Sequence, residues 1–252
     1  RCNTPRDKSG KLIPPRKLHN STWGFLCPAE TPEGQSIGVV KNISSLATIT
    51  INSNSKPVLE FISNDIILLP DIIDKKEITK YVKVFLNGAW LGITKDPINF
   101  YKQMKEKKYQ GIINIYTSIV FDYKNMEIII CNDAGRLVRP LLKVKNNNIL
   151  VTDEIIKKIN QDELYWDDLL INCKIDESII EYIDPKEQDC SLIGMNMNEI
   201  NKEDTNYIYR YTHCEIHPST IFGILASCIP FPKHNQSLRL TYQCAMGQQA
   251  MA

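Results

Sequence analysis

The spacing of apolar positions changes several times along the chain, and each change predicts a short element. Val39–Ile51 is β-branched and loosely alternating, which predicts a strand. Val58–Ile62 and Ile66–Leu69 predict short strands or helix fragments around Asn64-Asp65, closed by Pro70. Val82–Ile93 reads VKVFL-NG-AWLGI, two strand-like runs around Asn87-Gly88, the pair that a two-residue type I′ hairpin prefers. Asp96 before Pro97 reads as an N-cap with proline in the first helical turn. Behind it Ile98, Tyr101 and Met104 share a helical face. Lys105, Lys107 and Lys108 gather where the helix dipole favours cations, and Gly111 stops the helix. Ile112–Phe121 and Glu127–Cys131 predict a second strand pair, Asp133-Ala134-Gly135 a turn, and Arg136–Val144 a further strand.

The second half is patterned less regularly. Ile155, Ile156 and Ile159 share one face of a predicted helix, with Leu164, Trp166, Leu169 and Leu170 as apolar anchors. Ile221–Ile229 is apolar with small Gly223, Ala226 and Ser227, which suits a tightly buried segment ended by Pro230 and Pro232. Trp23 beside Gly24 reads as a core anchor. The expected fold is mixed α+β and multi-lobed: small β-rich lobes with short helices, divided 1–70, 71–145, 146–209 and 210–252.

Composition changes this picture little. The chain has 252 residues, 43% hydrophobic and 23% charged, as in soluble globular proteins, and its net charge of +1 points to no partner. The distribution of charge is more telling. Residues 1–17 carry six basic side chains and one acid, whereas 153–205 carry fifteen carboxylates and five lysines. One end is therefore expected to meet a polyanion, and the acids are expected to form a solvated face. Eight cysteines without a C-x-x-C pair, no secretory segment, and no apolar run near ~20 residues predict free thiols and a soluble, intracellular chain. Arg1 in place of an initiator Met, and an open-ended CAMGQQAMA at 244–252, are expected of a segment of a longer polypeptide.

Candidate chemistry lies in three blocks. In the first, Lys8 and Lys11 flank a turn at Asp7, Ser9 and Gly10, suited to phosphate contact. The second, CPAETPEGQSIG at Cys27–Gly38, holds two prolines, two glycines and two glutamates in twelve residues, and fits no helix or strand period. Such a loop is expected to be held by its surroundings. The third holds His213, His217 and His234, then Asn235, Gln236, Gln243, Gln248 and Gln249 around Arg239. Neutral amides with one guanidinium suit a site that grips nucleic acid yet lets it slide, or else a buried polar network. His213 and His217 are four apart, but Cys214 stands where a zincin helix needs glutamate, and Pro218 follows. The phosphate-cradling G-x-x-x-x-G-K-[ST] and G-x-G-x-x-G strings are absent.

These blocks carry a resemblance. RCNTPRDKSGKLIPPRKLHNSTWG (1–24), CPAETPEGQSIGVVKN (27–42) and THCEIHPSTIFGILASCIPFPKHNQSLRLTYQCAMGQQAM (212–251) resemble the second-largest subunit of multisubunit DNA-directed RNA polymerases of the eukaryotic and large-DNA-virus type. FLNGAWLG (85–92) and DAGRLVRPL (133–141) are weaker matches to that family's external domains. The resemblance implies a fork-loop region and the start of a cleft-lining lobe over 1–70, external lobes over 71–145 and 146–209, and the start of a hybrid-binding region over 210–252. It implies DNA contact by Lys8, Lys11 and Arg16, a cleft-lining loop with Glu33 and Gln35, and Gln236, Arg239, Tyr242, Gln243, Gln248 and Gln249 near the RNA 3′ end and the RNA–DNA hybrid.

The implied activity is nucleotidyl transfer in an assembled enzyme that uses Mg²⁺. The metal ligands are expected outside this chain, since neither N-A-D-F-D-G-D nor G-x-N-x-E-D-S occurs. No catalytic residue is expected here, and the chain alone is expected to be inactive. Implied partners are template DNA, the RNA transcript, the largest subunit and the rest of the second-largest subunit, in a nucleus or a cytoplasmic viral factory. Two departures stand out: Leu238-Arg239-Leu240 where the family usually has Pro-Arg-Asn, and Gln248-Gln249 where it usually has Lys-Gln. The alternative reading is an independent intracellular nucleic-acid-binding module without polymerase activity.

Overall fold

The structure, a computed structural model, describes residues 1–5, 12–72, 78, 80–200 and 210–251. The chain forms two compact units, one from Arg1–Thr48 with Ile216–Ala252, the other from Ile49–Glu215. The fold is mixed α and β, with small sheets and short helices, as the patterning predicts.

In the first unit, β1 (Cys2–Asn3) pairs antiparallel with β2 (Val40–Lys41). The single strand expected over Val39–Ile51 is broken into two-residue pieces. Between these pieces the backbone bonds loops: Ser44 N–H donates to Phe25 O at 3.0 Å and Ser45 N–H to Phe222 O at 2.9 Å. Phe25 is 1% exposed and anchors this region, whereas Trp23 is 43% exposed and is not the core residue expected.

The second unit holds two sheets. The first is built on α1 (Lys56–Asp65), β3 (Ile67–Leu68), β4 (Val82–Leu86), β5 (Ala89–Thr94), α2 (Pro97–Tyr109), β6 (Ser118–Asp122) and β7 (Glu127–Cys131). Its strand order is β3-β5-β4-β7-β6, antiparallel except for β4 against β7. The β4–β5 turn has Asn87 at φ 48° and Gly88 at φ 82°, the two positive values that a type I′ turn demands. Val82, Val84 and Leu86 alternate inward and meet Val58 and Ile62 of α1 and Phe100 and Met104 of α2. Asp96 caps α2 by accepting from Asn99 N–H at 3.2 Å. The buried face of α2 differs from the expected one: Phe100 is inside, and Ile98 is 58% exposed.

The second sheet centres on β8 (Leu137–Lys145). It is flanked by β9 (Asn148–Ile149), by antiparallel β10 (Ile180–Ile183), and by β12 (His213–Cys214), which runs parallel to β11 (Ile193–Gly194). Strand alternation gives β8 two different faces. Val138 and Leu142 join Ile180 and Tyr182 in an apolar cluster. On the other face lie Arg139, Leu141 and Lys143, and the registers bring Glu181 opposite Leu141 and His213 opposite Lys143.

Most described acids of this stretch, Asp153, Glu154, Asp162 and Glu163 among them, are solvated as expected, but Glu181, Asp184 and Glu187 depart from the pattern and are buried. Lys105 Nζ donates to Glu181 at 2.5 Å and to Glu187 at 2.7 Å, Lys108 Nζ donates to Glu181 at 3.0 Å, and Tyr109 Oη donates to Glu181 at 2.8 Å. Lys105 and Lys108 of α2 are thus buried and paired inside, whereas Lys102 is exposed. Arg139 lies 2.7 Å from both Glu215 oxygens in a second buried ion pair. Trp166, expected as an anchor, is 42% exposed, while Leu164, Leu169 and Leu170 are buried.

Candidate nucleic-acid interface

The first unit joins the blocks singled out in the sequence. The loop Cys27–Gly38 is held largely by its neighbours. Thr31 Oγ1 accepts from Gly38 N–H at 2.8 Å and donates to Val40 O at 3.0 Å, and Asn42 Nδ2 donates to Glu30 O at 3.0 Å. Arg16 crosses to the loop from the basic block. Its Nη1 donates to Gln35 O at 2.6 Å and Ile37 O at 2.9 Å. The two backbones approach so closely that a Cβ on Gly38, which sits at φ +70°, would lie 2.4 Å from Arg16 O. Arg16 is therefore fastened to the loop through that nitrogen. Glu33 and Gln35, around the tight turn Gly34–Ser36, are exposed.

Glu30 links the loop to the third block. Its Oε2 is buried without a hydrogen-bond partner, and a Cβ on Gly223 would lie 2.4 Å from it. Burial pushes the Glu30 carboxyl up, against the opposing pull of the Leu225 N–H and of Arg1. Sequence reasoning placed Glu30 in the loop without giving it this role, because the glycine that admits it lies far along the chain.

The helix Ser237–Met251 supplies the amides. Leu240 and Cys244 point inward to Cys27, Ala29 and Ala226. Burial pushes the Cys244 thiol up to about 11, with Cys27 and Glu30 adding to the shift. Arg239, Tyr242 and Gln243, at the i, i+3 and i+4 positions of one helical face, are exposed. The Arg239 guanidinium lies 5.4 Å from the Tyr242 ring centroid. Arg239, Gln243 and Asn235 rim a cleft of about 510 Å³ floored by Leu225, Ile229 and Leu240. Gln236, Gln248 and Gln249 are exposed as well.

The two departures now have places. Leu240, in the position of the usual Asn, is buried, so that change acts on packing; Leu238 is 75% exposed. Gln248, in place of the usual Lys, is exposed and leaves a neutral amide there. The segment Ile221–Ile229 is less buried than expected, with Ile224 76% exposed and only Gly223 and Ala226 fully inside. Lys8 and Lys11 lie outside the described residues. All eight cysteines are free thiols. No group of three or more His, Cys, Asp or Glu side chains converges as metal ligands among the described residues, and no described helix is long and apolar enough to cross a membrane.

Family models for RNA polymerase Rpb2 domain 3, domain 4 and domain 5 match residues 1–49, 84–145 and 166–218, in that order. The chain is 45% identical over its whole length to the DNA-directed RNA polymerase II subunit RPB2 of Encephalitozoon cuniculi, covering 22% of that protein. It is 40% identical to subunit 2 of the Arabidopsis thaliana polymerase II, again over its whole length and covering 21% of it. Acanthamoeba polyphaga mimivirus DNA-directed RNA polymerase subunit 2 is 36% identical over 96% of the chain and 22% of the viral protein. The chain thus spans about a fifth of the length of these relatives. With three consecutive domains matched in order and relatives that match along the whole of this chain, the chain belongs to the Rpb2 family of RNA polymerase second-largest subunits.

Proposed function

We propose that this chain is part of the second-largest subunit of a DNA-directed RNA polymerase and positions DNA and the RNA–DNA hybrid for template-directed RNA synthesis. The observation that carries the reading is the joining of three distant blocks in one unit, with Leu240 and Cys244 turned inward and Arg239, Tyr242 and Gln243 turned outward. Arg239 is the phosphate-type contact near the RNA 3′ end, with Tyr242 across its guanidinium. Gln236, Gln243, Gln248 and Gln249 offer neutral donors that hold the hybrid without fixing it in register. Glu33 and Gln35 line the cleft beside it. Lys8, Lys11 and Arg16 contact DNA where the strands part.

The partners are template DNA, the transcript, the largest subunit and the remainder of this subunit, in a nucleus or a cytoplasmic viral factory. The assembled enzyme uses Mg²⁺, which stabilises the attacking and leaving oxygens when bound. The described residues offer no three-ligand set, so no step is assigned to a metal held by this chain. Its own contribution is alignment, where small displacements of reacting groups cost large factors in rate.

The test is Arg239→Ala in the assembled enzyme. Nucleotide addition should slow by roughly 10²-fold, as for loss of one preorganised charge contact, while DNA binding changes far less. Equal losses in rate and in DNA binding would remove Arg239 from the 3′ end.

A further inference from the structure

The second unit carries a cleft of about 530 Å³ that the nucleic-acid reading does not use. Its size falls within the range of small-ligand sites, about 300–1,000 Å³. One wall is the α2 face with Tyr101, Lys102 and Lys105; another is Lys143 on β8; Arg210 and Tyr211 stand at its edge.

Most charges in the cleft cancel internally. Glu181 and Glu187 are occupied by Lys105 and Lys108. Lys143 differs. Its Nζ donates to Ser178 Oγ at 3.0 Å and lies 3.5 Å from the Tyr109 ring centroid, and among the described residues it has no carboxylate within ion-pair distance. Its neighbour Lys145, by contrast, is paired with Glu177. Burial pushes the Lys143 ammonium down to about 8, although Glu181 and Glu177 act in the opposite direction. Lys102 and Arg210 are exposed at the mouth, and Glu106 is the remaining carboxylate of the lining. The cleft therefore holds more fixed cations than its own carboxylates neutralise. It is partly walled by aromatic rings, and Thr212 and Ser191 supply hydroxyls.

We propose that this cleft binds a phosphomonoester dianion, with the Lys143 ammonium as the central contact and Lys102 and Arg210 closing over it. A dianion matches the surplus of cations better than a single carboxylate does, and the concave, small volume excludes a duplex. Inorganic phosphate and a mononucleotide share this chemistry, and the test separates them.

The assembled enzyme is treated with pyridoxal 5′-phosphate, whose aldehyde condenses with an uncharged amine and releases water, and the imine is reduced with borohydride. Labelling of each lysine is then read by peptide mass spectrometry. Lys143 should label faster than Lys145. Phosphate at roughly ten times its Kd should slow Lys143 labelling about tenfold, whereas chloride at equal ionic strength should not. Stronger protection by adenosine 5′-monophosphate than by phosphate identifies a nucleotide as the ligand, and equal protection identifies the phosphate group alone. Arg210→Ala, at an exposed position, should weaken the protection without changing the melting temperature. Equal labelling of Lys143 and Lys145, protection by chloride equal to that by phosphate, or unaltered protection in Arg210→Ala would overturn the proposal.

Discussion

Gly38 and Gly34 lie four residues apart in one loop, both at positive φ, yet they carry different constraints. A Cβ at Gly34 meets nothing within 4 Å, whereas one at Gly38 meets the Arg16 backbone at 2.4 Å. Gly34→Ala should therefore cost only the backbone term, about 1–2 kcal/mol. Gly38→Ala should cost clearly more, because it also pries the basic block off the loop. Urea denaturation of the two variants checks this; equal midpoints would mean that the close approach is not maintained. Composition marks both glycines as permissive, but only geometry says which one is irreplaceable. The same limit applies to Trp23 and Phe25, two residues apart. Both are large and apolar, and the buried one is fixed by Ser44 bonding to Phe25 O, a partner that no local pattern names.

At the scale of elements, short-range signals carried well and long-range ones did not. The Asn87-Gly88 hairpin, the Asp96 cap and the strand pair around 118–131 were legible because turn and cap chemistry is local. The ionic core was not legible, because Lys105 and Glu181 are distant in sequence and each alone resembles a surface charge. Burial works against charge on both, but their attraction prevails: Lys105 is held well above the usual lysine value of 10.5 and Glu181 well below 4.5.

The sign of the pH dependence follows. A lowered carboxyl contributes stability that is complete above about pH 4.5 and is lost as pH falls towards its folded value. A raised lysine contributes below about pH 10.5 and loses its contribution as pH rises through its folded value. Glu181→Gln leaves two buried ammonium groups short of a partner, so unit 49–215 should lose about 3–5 kcal/mol at pH 7. The gap to the parent should narrow below about pH 4.5, as the parent gives up its own contribution. A gap unchanged between pH 7 and pH 3, measured by chemical denaturation, would mean that Glu181 is not the charged hub.

At the scale of the whole molecule, the two units have different requirements. Residues 49–215 contain both sheets and their own apolar clusters, and so should fold when produced separately, with a dispersed amide NMR spectrum and a cooperative melt. Residues 1–48 should not, because Cys27 and Ala29 find their apolar partners among Ala226, Leu240 and Cys244. A well-dispersed spectrum from 1–48 alone would contradict this, as would an unfolded 49–215. The resemblance blocks were visible as strings of residues, and their meeting in one unit was not, since nothing in a linear pattern states that residue 30 touches residue 223.

That first unit is made from the two ends of the chain, with 49–215 between them. During synthesis its opening stretch must therefore emerge and wait while the intervening residues are translated, on the order of ten to thirty seconds at ordinary elongation rates. Throughout that interval Cys27 and Ala29 lack the helix that will cover them. Folding of this unit is thus timed by the ribosome, and the nascent chain should need a chaperone longest over the loop that Leu240 and Cys244 later cover.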